Sequence, residues 1–158
     1  MFLPHFQPLT LGRSRKPFSH SDWFFEIKWD GFRSLVRIEH GRCKLISRNG
    51  NEFKSFSSLN EAIAAELGCY SAVLDGEIVC LDGDGRPQFR NLLFRREQPR
   101  FMAFDLLWLD GTDLRYLSLS ERKQGLRRIL PHSSERLLYC DHVEATAKHC
   151  SDWPATTT

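Results

Sequence analysis

Residues 25–33 read Phe25-Glu26-Ile27-Lys28-Trp29-Asp30-Gly31-Phe32-Arg33. The run from Trp23 to Lys28 is apolar and aromatic, as a strand is, and Asp30-Gly31 supplies a turn after it. Lys28 is thereby expected at a strand end with its amine facing a cavity. An amine attacks an electrophilic phosphorus only when uncharged, which calls for a desolvated or cation-rich pocket that lowers its pKa. The plainer reading of the same stretch is a surface hairpin in which Lys28 and Asp30 are solvated charges.

Outward from this stretch the pattern is strand-rich with interspersed helices. Arg33 to Glu39 alternates apolar and charged residues, and Lys44 to Ser47 follows a Glu39-His40-Gly41 turn. Ser58-Leu59-Asn60-Glu61 has the form of a capping box, and Leu59, Ile63 and Leu67 share a helical face, so a helix is expected over 58–67, ending at Gly68. Ala72 to Leu81 reads as a buried strand pair broken at Asp75-Gly76, and Phe101 to Leu109 as a strand closed by Asp110-Gly111. A second capping box, Ser118-Leu119-Ser120-Glu121, opens a helix with Leu126, Ile129 and Leu130 on its apolar side. Leu137 to Val143 finishes as a strand. The expected class is α+β, with antiparallel sheets flanked by helices.

The 158 residues, 41% hydrophobic and 27% charged, suit one ordinary domain with a single core. No apolar run approaches the roughly 20 residues that span a bilayer, and Pro4 and Pro8 interrupt the N-terminus where a signal peptide needs an unbroken apolar stretch. A cytoplasmic monomer without a membrane partner is expected. Five scattered cysteines, Cys43, Cys69, Cys80, Cys140 and Cys150, argue against a disulfide framework and a zinc site. The six histidines show no ligand spacing. A formal net charge of +2 does not by itself imply nucleic-acid binding. Three basic clusters, at residues 12–16, at Arg95-Arg96 with Arg100, and at Arg122-Lys123 with Arg127-Arg128, have the charge to contact phosphate backbones or to form solvated faces.

Four motifs then occur in order: Lys28-Trp29-Asp30-Gly31-Phe32-Arg33, Ser47-Arg48-Asn49-Gly50, Leu74-Asp75-Gly76-Glu77-Ile78 and Ala103-Phe104-Asp105-Leu106-Leu107. Between about Trp23 and Glu144 the chain resembles the covalent nucleotidyltransferases, and most of all the bacterial ATP-dependent DNA ligases related to the ligase domain of end-joining enzymes. The resemblance implies that Lys28 attacks the α-phosphate of ATP and carries AMP, and that Asp30 assists the later transfer to a nick in double-stranded DNA. It further implies that Arg33 and Arg48 contact ribose and phosphate, that Glu77 accepts from the ribose and approaches Mg²⁺ or Mn²⁺, that Phe104 stacks on adenine and that Glu26 accepts from its exocyclic amine. Read alone, Phe104 is a strand core residue, Arg48 a turn residue, and Glu77 a carboxylate that needs a partner among apolar neighbours. DNA repair or recombination, with end-joining proteins as partners, is the implied setting.

The family's fourth and fifth motifs, which contribute a metal carboxylate and phosphate-binding lysines, have no counterpart here, nor has the oligonucleotide-binding barrel that usually follows. The expectation is an N-terminal extension over 1–21, a partial adenylation domain over 22–146 and a frameshifted tail over 147–158, in a chain that does not seal nicks alone. Back-translation supports the frameshift: reading from the third base of the Ala147 codon forces two Leu and an Ala, and with the common TCN codon for Ser151 gives a Leu-Phe-x-Leu-Ala-like apolar pattern with helical spacing. Two other readings stand beside this one. The chain is an inactive remnant that at most binds nucleotide or nucleic acid, or it is an RNA ligase or capping guanylyltransferase sharing the same motifs.

Overall fold

The computed structural model describes residues 3–8, 12, 14, 18 and 20–144, so the expected frameshifted tail lies outside the described residues. The chain forms two units, one of Met1–Pro8 with Trp29–Tyr139, the other of Leu9–Lys28 with Cys140–Thr158.

In the second unit, strand β1 (Phe24–Glu26) pairs antiparallel with a strand near the end of the described chain, His142–Glu144. The Phe24 and His142 rings lie 4.4 Å apart, and Phe18 contacts both Trp23 and Phe25. The strand expected from Trp23 to Lys28 therefore contracts to its middle.

The first unit is built on a sheet. Strands β2 (Phe32–Glu39) and β3 (Arg42–Ser47) form a hairpin whose turn residues, His40 and Gly41, both have positive φ. A single 3-10 turn at Lys54–Phe56 leads into helix α1 (Ser57–Glu66). Strand β4 (Ser71–Val79) follows, then a short helix α2 (Phe89–Leu93), strand β5 (Arg100–Leu109), strand β6 (Thr112–Asp113), helix α3 (Leu119–Ile129) and strand β7 (Leu137–Tyr139). The second unit's His142–Glu144 is β8. Sheet order is β3-β2-β4-β5-β6, antiparallel throughout, with β7 added parallel to β5.

Strand alternation divides the apolar residues into two clusters. Val36, Ile38, Ala72, Leu74, Ile78, Phe101, Ala103 and Leu106 join Leu59 and Ile63 of α1 and Leu126 of α3 in the main core. Leu35, Val73 and Trp108 form a second cluster, covered by Leu3 and Phe6 of the N-terminal segment. Leu3 is tied down through its N–H, which donates to Glu39, and through its carbonyl, which accepts from Arg37.

Three expectations change. Helix α1 starts before Ser58 and has no side-chain cap: its N-cap is Phe56, and burial of that ring against Phe32 and Phe53 sets the entry of the helix. The strand over 71–79 is continuous through Asp75-Gly76, because the irregularity belongs to its partner. Asp75 opposes Asp105 while the adjacent Gly76 opposes Ala103, and Val73 opposes Trp108 while Leu74 opposes Leu106. Phe104 and Leu107 are thus extra residues bulged out of β5. Finally, the strand expected over 137–143 is two, β7 and β8, which join different sheets. The second capping box is present as expected: Ser118 Oγ accepts from the Glu121 N–H, and Glu121 accepts from the Ser118 N–H.

Candidate functional site

The motif residues of the first unit converge where β2, β4 and β5 lie side by side. Arg33 on β2 opposes Glu77 on β4 in the ladder, and Leu35 opposes Asp75. Directly opposed residues of an antiparallel pair project from the same face. Arg33 Nε and Nη2 donate to the two carboxylate oxygens of Asp75, each at 2.7 Å. This planar, two-pronged geometry belongs to a guanidinium and is unavailable to an ammonium. Asp75 is only 5% exposed. Burial pushes its carboxyl up from the ordinary value, opposed by the hydrogen bonds and charge of Arg33 and reinforced by the neighbouring charge of Asp105.

Arg33 is also stacked. Its guanidinium carbon lies 4.3 Å from the centroid of the Phe104 ring. Alternation after core-facing Ala103 places Phe104 on the face that carries Asp75 and Arg33, and the bulge leaves it without a direct partner on β4. The ring is half-buried, so it is not one of the core residues.

Both motif glycines act by leaving space. A Cβ on Gly31 would collide with the Ile78 carbonyl and come within 3.0 Å of Glu77 Cγ, so the chain entering β2 lies against the stem of Glu77. A Cβ on Gly76 would collide with the Phe101 ring and the Met102 carbonyl. Neither has positive φ. In place of the break expected at Asp75-Gly76 there is a close approach between β4 and β5.

The remaining site candidates are more scattered. Asp30 is exposed just before β2, and Arg48 is exposed in the turn after β3, which closes through the Gly50 N–H to the Ser47 carbonyl at 2.9 Å. Glu26 ends β1, and Lys28 is the exposed last residue of the second unit before the chain enters the first. Arg33, Glu77 and Phe104 are brought to one place within the first unit; Glu26 and Lys28 belong to the other unit.

Asp75 was legible as part of a motif but had no role assigned to it. The argument applied to Glu77, that a carboxylate among apolar strand residues needs a partner, applies with more force to Asp75, which is the buried one of the two. Part of the third basic cluster is not a phosphate-facing surface. Arg122 donates from Nε and Nη2 to Asp105 at 2.8 and 2.9 Å. Lys123, 2% exposed, donates from Nζ to the Phe104 carbonyl at 3.0 Å. Helix α3 packs on β5, and that packing turns both side chains inward. Among the described residues no group of three or more His, Cys, Asp or Glu side chains is placed to hold a metal ion, and no helix is long and apolar enough to cross a membrane.

Residues 13–151 match the family model described as the ATP dependent DNA ligase domain. The multifunctional non-homologous end joining DNA repair protein LigD of Mycobacterium tuberculosis H37Rv is 43% identical over 112 residues, which is 70% of this chain and 14% of that protein. The crystal structure of the ligase domain of M. tuberculosis LigD superposes with a TM-score of 0.72 at 33% identity, covering 85% of this chain and 46% of that one. A mycobacterial DNA ligase D complexed with ATP and MES gives a TM-score of 0.70 with the same identity and coverage. The chain therefore spans less than half the length of each of these relatives.

Proposed function

Because the chain belongs to the ATP-dependent DNA ligase domain family, we propose that it performs the nucleotide-handling chemistry of a DNA ligase, with Lys28 as the residue that accepts AMP. The observation that carries this reading is the convergence of Arg33, Asp75, Glu77 and Phe104 on adjacent strands. An aromatic ring, a fixed guanidinium and a carboxylate are what a purine, a phosphate and a ribose hydroxyl respectively require.

In this reading the uncharged amine of Lys28 forms a bond to the α-phosphorus of ATP, the bond from that phosphorus to the bridging oxygen breaks, pyrophosphate leaves with the electron pair, and the nitrogen gives up one proton to solvent. Arg33, held by Asp75, offers its remaining donors to ribose or phosphate, as does Arg48 from its turn. Phe104 stacks on adenine, Glu26 accepts from its amino group and Glu77 accepts from the ribose. Mg²⁺ is commonly held by one or two carboxylates together with substrate phosphates, and Glu77 would supply one such carboxylate. When bound, the ion would neutralise charge on the phosphates. Asp30 assists passage of AMP to the 5′-phosphate of nicked duplex DNA. The relatives' names point to end joining, so end-joining repair proteins are the proposed partners. The proposed setting is a cytoplasmic monomer. The segments proposed are an N-terminal extension over 1–21, the adenylation region over 22–146 and a separate tail over 147–158.

The test is incubation of the purified chain with ATP or GTP labelled at the α-phosphate, followed by a denaturing gel. Label from ATP, labile to hydroxylamine and lost in a folded Lys28→Ala variant, is the expected result. Label from GTP alone would assign a capping enzyme, and label from neither would leave a nucleotide or nucleic-acid binder.

A further inference from the structure

A strand bulge leaves backbone groups outside the regular ladder, and buried ones need partners. At the Phe104 bulge helix α3 supplies a donor to one backbone carbonyl and a second side chain to the neighbouring carboxylate. The Phe104 carbonyl accepts from Lys123 Nζ at 3.0 Å, and the next residue, Asp105, is gripped through both carboxylate oxygens by Arg122. Arg122 is anchored in turn by donating from Nη1 to the Leu117 carbonyl at 2.8 Å. The capping box at Ser118 and Glu121 fixes the helix start immediately before these two residues.

Lys123 buries an ammonium to reach that carbonyl. A buried ammonium loses its hydration and is tolerated only where acceptors and π faces replace it. Here its charge is set 5.5 Å from the Tyr139 ring, on a strand that pairs with β5 at Ala103. A leucine there would avoid that cost but withdraw the donor from the Phe104 carbonyl. What the cation adds is direction: a charge-assisted hydrogen bond fixes the peptide plane of Phe104, and with it the direction of its side chain.

We propose that Arg122 and Lys123 are positioning residues that hold the β5 bulge and so aim the Phe104 ring at the purine base. The proposal rests on the reading of Phe104 as the base-stacking residue. Arg33 restrains the ring on one side by stacking, and α3 restrains its backbone from the other end of the same residue. The site is thus preorganised by a helix that carries no motif residue.

The chain labelled throughout with 4-fluorophenylalanine tests this by fluorine NMR, with the Phe104 and Phe101 resonances assigned from Phe104→Leu and Phe101→Leu. In Lys123→Met the Phe104 resonance should shift or split while Phe101, three residues earlier on β5 and buried in the core, stays in place. Lys123→Arg should restore it. ATP binding, followed by the same resonance, should weaken about tenfold in Lys123→Met, at the low end of what a base–aromatic stack contributes. An unmoved Phe104 resonance in Lys123→Met overturns the proposal, as does an equal shift at Phe101, which would mean general loosening. Should Lys123→Met not fold, Arg122→Gln reads the same two resonances with the same expected and overturning results. A wild-type Phe104 resonance indifferent to ATP would sink the stacking assignment alone, since the fluorine shifts without nucleotide still decide the positioning.

Discussion

Arg33 donates to both carboxylate oxygens of Asp75 from two different nitrogens, so the guanidinium of one motif is oriented by the acid of another. The two residues lie 42 positions apart in sequence. Removing one partner of a buried pair leaves the other charge uncompensated, whereas replacing both by apolar groups is far milder. Asp75→Ala should therefore cost about 3 to 5 kcal/mol in urea unfolding, and the double variant Arg33→Met, Asp75→Leu clearly less. Equal losses in the single and double variants would show that packing, not the unpaired guanidinium, dominates.

The same pair carries a pH signature. Burial holds the Asp75 carboxyl above its ordinary value of 3.8 despite the pull of Arg33. The folded chain then keeps that proton to higher pH than the unfolded chain. The associated stability is full below the unfolded value and is lost as pH rises through the folded one. Relative to Asp75→Asn, the wild type should thus lose stability as pH climbs from 3.8, read from denaturant midpoints at a series of pH values. A rise instead of a fall would mean that the charge of Arg33 outweighs burial.

Gly76→Ala should destabilise at the upper end of the range of about 1–3 kcal/mol typical of overpacking, because the atoms it meets are an aromatic ring in the core and a backbone carbonyl. Gly83→Ala, where nothing lies within 4 Å, is the control and should be near neutral. Thermal melts of the two variants side by side would check this, and similar melting points would refute the close-approach account.

Burial pushes the Cys43 thiol up to about 12 from an ordinary 9.0. Thiolate is the reactive form, so at pH 9 Cys43 should alkylate about tenfold or more slowly in the folded chain than in urea. The matching stability contribution is present below the unfolded value near 9 and disappears as pH rises toward 12. Peptide mapping after iodoacetamide treatment gives the rate; comparable rates in both states would contradict it.

Phe6 and Leu3 cover Leu35, Val73 and Trp108 on the sheet face away from the main core. Phe6→Ala should cost about 3 kcal/mol and shift Trp108 emission to the red as water reaches the indole, whose N–H donates to Ser71 at 3.1 Å. Unchanged emission would show that the N-terminal segment does not shield that face in solution.

Much of this architecture is visible in local signals. The hairpin turns at His40-Gly41 and Asp110-Gly111, the capping box at Ser118 and the alternation along β2 depend on neighbours within a few residues, so short-range rules suffice. Helix α1 starts ahead of the local cap available at Ser58 because burial of Phe56, a contact with rings from other elements, sets its entry. The bulges of β5 were unreadable for a related reason: a bulge is a mismatch between two strands, and neither strand records it alone.

The amino-acid sequence by itself determined the strand-rich α+β class and the family, because motif residue types and their order are one-dimensional properties. Its motifs also contain Arg33, Glu77 and Phe104, the candidate site residues. Only the tertiary structure decided that Asp75 orients Arg33, that Gly31 and Gly76 are required for space, and that Arg122 and Lys123 turn inward to Asp105 and the Phe104 carbonyl rather than to the surface. Those facts depend on which strand lies beside which and in what register, and register is settled by packing summed over the whole sheet, not by any stretch of chain.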